Sequence, residues 1–104
     1  LREQLANAAI FAGDDNAAVG VMKSLRKAGK HIPNDVAVAG FNDDDMAQYL
    51  TPPLTTVYTD TEAIGFQAAE TLINQINNKP TVMSHKLSTR LVVRQSCGSG
   101  SNLG

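Results

Sequence analysis

An α/β fold, a parallel sheet with flanking helices, is predicted by three observations. The runs Ala8-Ala9-Ile10-Phe11-Ala12 and Val36-Ala37-Val38-Ala39-Gly40-Phe41 are continuous and apolar, as expected of strands covered on both faces. Between them, apolar residues recur at helical spacing. Both runs stop abruptly at acids and amides, in Gly13-Asp14-Asp15-Asn16 and Asn42-Asp43-Asp44-Asp45. A polar cluster at the carboxyl end of a buried strand is where open α/β sheets bind ligands.

The elements follow in chain order. Residues 1–6 read as the tail of a helix. After the first strand, Asp14 or Asp15 is placed to cap a helix by accepting from its free N–H groups. Ala18, Val21, Met22, Leu25 and Ala28 form the apolar face of that helix, with Lys23, Arg26 and Lys27 on its other side. Gly29 ends it, and Pro33 lies beyond. The order strand, helix, strand implies a parallel pair joined by a right-handed crossover. Residues 46–50 read as a short helix, stopped at Thr51-Pro52-Pro53 because proline lacks an N–H and restricts the residue before it. Residues 54–58 form a third strand. Thr59-x-x-Glu62 has the spacing of a capping box. It opens a helix with Ile64, Ala68, Leu72 and Ile76 on one stripe, closed by Asn77-Asn78-Lys79-Pro80. Residues 87–95 are a last strand, with Leu87, Leu91 and Val93 on one face. From Gly98 the chain reads as a flexible tail.

The 104 residues suit one domain or part of one. A chain of this size buries roughly two-thirds of its unfolded surface, enough for one core. Hydrophobic residues make up 42% and charged residues 18%, a globular rather than a disordered composition. Lys plus Arg number 9 against 10 Asp plus Glu, and the basic residues are scattered. With no basic stripe, the stretch is not expected to bind DNA by itself. Cys97 is the single cysteine, so no internal disulfide is possible, which fits a reducing compartment. It reads as an incidental thiol beside the tail. No apolar run approaches the ~20 residues of a membrane span. Leu1 in place of an initiator methionine predicts an upstream part.

The chemistry concentrates at the strand tips. In a parallel pair, Asp14 and Asn42 stand at the same carboxyl edge of the sheet. Neighbouring strands lie about 4.8 Å apart and alternate strands about twice that, and either spacing lets both side chains reach one small polar ligand. Carboxylate and amide groups suit hydroxyl-rich molecules, because they accept and donate in fixed directions. The plainer reading is that Asp14, Asp15 and Asn42 to Asp45 are turn and cap residues, roles these types favour. Asp43-Asp44-Asp45 lacks the glycine and closing glutamate of a calcium loop, so no metal is expected. His31 and His85 read as surface residues. No nucleophile elbow, phosphate-binding loop or dinucleotide fingerprint occurs, so no catalytic residue and no cofactor are expected. Met46 and Tyr49 are of types enriched at interfaces.

Three blocks carry a resemblance: AIFAGDDNAAVG at 9–20, IPNDVAVAGFND at 32–43 and YLTPPLTTV at 49–57. Gly65, Ala68 and Ala69, and LVVRQS at 91–96, also fit. In order and at close spacing, they resemble the effector-binding core of the LacI/GalR family of bacterial repressors. The resemblance implies a periplasmic-binding-protein-like fold of type I, here an incomplete fragment. Residues 1–54 would lie in the C-terminal subdomain. Residues 55–80 would be a crossover and an N-subdomain helix, residues 81–97 a returning strand, and 98–104 the tail. It implies effector contacts at Asp14 and Asn42, with a further one at Thr59. Relatives often carry Asp where Asn42 stands. Val19 and Tyr49 match positions of the dimer interface, and Met46 lies beside Tyr49.

The expected function is therefore the effector-binding and dimerisation part of a cytoplasmic regulator. It would sense a small sugar or nucleoside-like ligand, form a homodimer, touch no membrane, and bind operator DNA only through an N-terminal helix-turn-helix missing from this sequence. A periplasmic sugar-binding protein of a transport system is the alternative. A small α/β enzyme using Asp14 with residues 43–45 is the third.

Overall fold

A computed structural model of the chain describes residues 8–81 and 84–99. The helix tail expected at residues 1–6 and the stretch beyond residue 99 lie outside the described residues. Strands β1 (Ala8–Phe11) and β2 (Val36–Ala39) pair in parallel, with Ala8 opposite Val36 and Phe11 opposite Ala39. Helix α1 (Asp15–Lys27) connects them. Asp14 is its N-cap, accepting from the Ala17 N–H at 2.6 Å. Arg26 and Lys27 occupy the last turn, where cations oppose the helix dipole. Gly29 then turns the chain at φ +75, a left-handed conformation that glycine adopts without a side-chain clash. Ala18, Met22 and Leu25 bury the apolar face of α1 in one cluster with Val36 and Val38.

Strand β1 is covered on one face only. Ile10 packs on the core, whereas Phe11 is 68% exposed. The expectation of cover on both faces is corrected here. A continuous apolar run records what a strand can bury, not what packs on it among the described residues.

A 3₁₀ helix (Asp45–Tyr49) follows β2 and buries Ala47 completely. Strand β3 (Thr56–Tyr58) belongs to a second two-stranded sheet and is linked to the end of β2 by isolated parallel bridges, Ala39 to Thr55 and Asn42 to Tyr58. The Gly40 N–H donates to the Thr55 carbonyl and the Asn42 N–H to the Val57 carbonyl, each at 2.8 Å. Strand β4 (Arg90–Val92) is antiparallel to β3 and shorter than the expected residues 87–95, because β3 offers it only three partners. A second 3₁₀ turn (Gln95–Cys97) docks back on the sheet through Ser96. The fully buried Ser96 Oγ donates to the Val38 carbonyl at 2.6 Å and accepts from the Thr55 N–H at 2.8 Å. Cys97 belongs to this docked turn, and Gly98 closes it at φ +82.

Helix α2 (Thr61–Ile76) is capped by Asp60, which accepts from the Ala63 N–H at 3.0 Å. The expected cap, Thr59, is displaced by one residue, and its hydroxyl is engaged elsewhere. No residue of α2 is buried. Its stripe of Ile64, Leu72 and Ile76 is 48%, 57% and 69% exposed. Among the described residues, the hydrophobic core lies between residues 10 and 54. The radius of gyration is 18.1 Å, against about 13 Å for a compact domain of this length.

Candidate functional site

The carboxyl edges of β1, β2 and β3 lie together, and the site is built on their tips. Parallel pairing puts Asp14 and Asn42 three residues past the aligned pair Phe11 and Ala39. Thr59 follows β3 directly. Its hydroxyl donates to Asn42 Oδ1 at 3.1 Å. Both residues line an open concavity of about 330 Å³, together with Asp43 to Asp45, Tyr58 and Asp60 to Glu62. Asp14 stands on the same edge but does not line that concavity, and one of its oxygens is committed to capping α1. The structure brings Asp14, Asn42 and Thr59 to one edge and joins the last two directly.

The loop after β2 has unusual backbone. Asn42 has φ 103 and Asp43 φ 54. Positive φ away from glycine costs about 1–3 kcal/mol, and Asn and Asp are the residues that best tolerate it. Side chains from distant segments hold this conformation. Asp15 is fully buried; its Oδ2 accepts from the Asp44 N–H at 2.6 Å and its Oδ1 from the Thr56 hydroxyl at 2.7 Å. Thr56 Oγ1 in turn accepts from the Asp43 N–H at 3.2 Å. A side chain on Gly40 would collide with the Asp15 carboxyl group, so the strand needs glycine there. Arg94 adds an ion pair to Asp43 at 2.9 Å, and the same guanidinium donates to the Leu54 carbonyl at 2.9 Å.

The wall is acidic. Burial raises the Asp44 carboxyl above the usual carboxylate range, and the nearby Asp15, Asp14, Asp45 and Asp43 raise it further. Arg94 offsets Asp43 alone. Such a wall favours a neutral ligand rich in hydroxyls over an anionic one, since like charges repel at short range. Among the described residues no group of three or more His, Cys, Asp and Glu could hold a metal ion.

Asp15, Thr56, Arg94 and Ser96 are the site-supporting residues that sequence reasoning missed. Asp15 was expected as a possible helix cap, Arg94 as one scattered cation. Gly40 inside an apolar strand was the available signal, because such a glycine marks a close approach of another group. Of the interface candidates, Met46 and Tyr49 share the first 3₁₀ helix, with Tyr49 78% exposed. Val19 is half-buried on α1. His31 is exposed and paired with Asp35 at 3.3 Å. His85 lines a separate, more apolar concavity of about 550 Å³ against α2, with Ile64 and Leu87. No helix among the described residues is long and apolar enough to cross a membrane.

Polar tips on adjacent parallel strands are the arrangement of a ligand-binding α/β module. Residues 1–97 match the family model described as a periplasmic binding protein-like domain. The chain belongs to that family and, within it, to the LacI/GalR transcriptional regulators. It is 38% identical over 90 residues to the HTH-type transcriptional repressor MelR of Bacillus subtilis, covering 86% of this chain and 26% of MelR. It is 40% identical over 88 residues to the lactose operon repressor of Rhizobium radiobacter, covering 85% of this chain and 78% of that relative. Among solved structures, the complex of the transcriptional regulator CelR with cellobiose superposes with a TM-score of 0.77 at 35% identity, over 85% of this chain and 27% of CelR. The chain therefore spans about a quarter of the length of MelR and CelR.

Proposed function

We propose that this chain is the effector-binding and dimerisation part of a bacterial LacI-type transcriptional regulator. It senses a small sugar or nucleoside-like ligand and controls operator binding by an N-terminal helix-turn-helix outside these residues. It acts in the cytoplasm as a sensor and not as an enzyme. The observation that carries this reading is the Asn42–Thr59 pair on a polar concavity at the strand tips. Asp14, Asn42 and Thr59 are the effector contacts, and Val19, Met46 and Tyr49 the dimer contacts. Residues 1–54 form the C-terminal subdomain, 55–80 a crossover and N-subdomain helix, and 81–97 the return. The similar regulator CelR is found in complex with cellobiose, which supports a neutral sugar as the ligand class.

A ligand acts on such a switch only through different affinities for its two states. Coupling of roughly 5-fold to 150-fold between effector and operator is ordinary for such a device. Calorimetry of the intact regulator against a panel of neutral sugars and nucleosides, including cellobiose and D-ribose, tests the proposal. One of them binds and shifts operator affinity, and Asp14→Ala weakens that binding while leaving operator binding in place. Binding of no sugar or nucleoside, or unchanged affinity in Asp14→Ala, overturns the reading or that assignment respectively.

A further inference from the structure

We infer that Asp15 is a positioning residue of the effector site, fixing the backbone of residues 42–44 from beneath without touching ligand. The inference rests on the proposed effector role of that loop. Asp14, not Asp15, caps α1. Asp15 is the first residue of the helix, yet both its carboxyl oxygens serve groups outside it. One oxygen takes the Asp44 N–H directly. The other takes the Thr56 hydroxyl, whose oxygen accepts from the Asp43 N–H. The backbone N–H of Asp15 also donates to the Phe41 carbonyl at 3.1 Å. Of two consecutive amides in this loop, that of Asp44 is thus held by the Asp15 carboxyl directly and that of Asp43 through Thr56, and the Phe41 carbonyl by the backbone of Asp15.

Asp15 and Thr56 are both fully buried, so neither meets a ligand. Their effect on it passes through Asn42, whose side chain they leave turned to Thr59. Gly40 keeps the space for the carboxyl group. A carboxyl that accepts twice suits this place, because both groups facing it are donors.

Hydrogen exchange and sugar titration of Asp15→Ala and Asp15→Asn in the intact regulator test this. In Asp15→Ala, the Asp43 and Asp44 amides exchange about tenfold faster or more, relative to the core amide of Val38. Affinity for the sugar bound by the wild type falls by a similar factor. Asp15→Asn, which keeps one acceptor oxygen, restores part of both. If Asp15→Ala does not fold, the comparison of Asp15→Asn with wild type carries the same test. A uniform rise in exchange that includes Val38, with sugar affinity of the folded protein unchanged, would reduce Asp15 to a purely structural residue and overturn the inference. Faster loop exchange with unchanged sugar affinity overturns it as well. If the wild type binds no sugar, the effector reading fails by itself, and the exchange pattern alone still decides whether Asp15 fixes the loop.

Discussion

Arg94 grips Asp43 at 2.9 Å, and the two residues are 51 positions apart by their numbers in a chain of 104. The arginine sits just past β4, and the aspartate in the loop after β2. The same arginine donates through its other guanidinium nitrogen to the Leu54 carbonyl and through its backbone N–H to Thr55 Oγ1. The segment after β4 is thereby bonded to the loop after β2 and to the start of β3 at once. The side chains are 19% and 18% exposed, so solvent screens the pair only partly.

Removing the arginine side chain leaves the Asp43 charge largely desolvated and the Leu54 carbonyl without its donor. Arg94→Ala is expected to lower stability by about 2–3 kcal/mol. Arg94→Lys recovers little, because an ammonium does not reproduce the planar fork that serves two acceptors. Equilibrium urea unfolding of the three proteins measures both effects.

Ser96 supports a second prediction. Its hydroxyl satisfies the Val38 carbonyl and the Thr55 N–H in a fully buried place. Ser96→Ala orphans both groups and is expected to cost about 2–4 kcal/mol. Ser96→Thr keeps the hydroxyl but adds a methyl group to a packed site, so it tests packing apart from hydrogen bonding. Thermal and urea unfolding distinguish the two.

How much of this was visible beforehand depends on sequence distance. The β1-α1-β2 unit was legible because periodicity, the Asp14 cap and Gly29 all act within a few residues. The polar edge was legible because parallel pairing follows from that order. Asp15, Arg94 and Ser96 were not, since their partners lie in segments that only the folded chain brings together. Thr59 was misread as a cap because Thr59 and Asp60 are both good capping residues one position apart. The competition is settled by Asn42, which engages the Thr59 hydroxyl and leaves the cap to Asp60.

Asp44 predicts a pH dependence. Burial and the surrounding aspartates raise its folded-state value above the ordinary 3.8. The folded protein then holds this proton more tightly than the unfolded chain, so stability falls as pH rises through that window. The destabilisation is absent below the unfolded value and complete above the folded one. Asp44→Asn is expected to be more stable than wild type at pH 7 and to lose that advantage at pH values below about 3.8. Added salt narrows the difference at neutral pH by screening the neighbouring carboxylates. Urea midpoints of the two proteins across pH check the sign.

The exposed stripe of Ile64, Leu72 and Ile76 on α2 predicts self-association of the 104-residue chain. Apolar surface of this kind, contiguous at helical spacing, favours contact with a like surface over water. Replacing all three with Gln should convert the associated species to monomer in multi-angle light scattering. A monodisperse wild-type monomer would count against the prediction.

Asn42 and Thr59 predict what the site recognises. Because Thr59 donates to Asn42 Oδ1, the Asn42 amide is oriented with its oxygen toward Thr59, and its nitrogen is the donor it offers a ligand. A donor at that point selects an acceptor on the ligand, such as a ring or hydroxyl oxygen. Asn42→Asp keeps the bond from Thr59 but replaces the donor with a charged acceptor in an already acidic wall. It is expected to weaken binding of the cognate sugar about tenfold or more and to favour ligands presenting a hydroxyl proton there. Thr59→Val releases the amide to turn over, so Asn42 offers either end and discrimination between such ligands narrows. Titration of both variants against one sugar and its deoxy analogues reads the change. An unaltered ranking of the sugars in both would show that this pair does not set specificity.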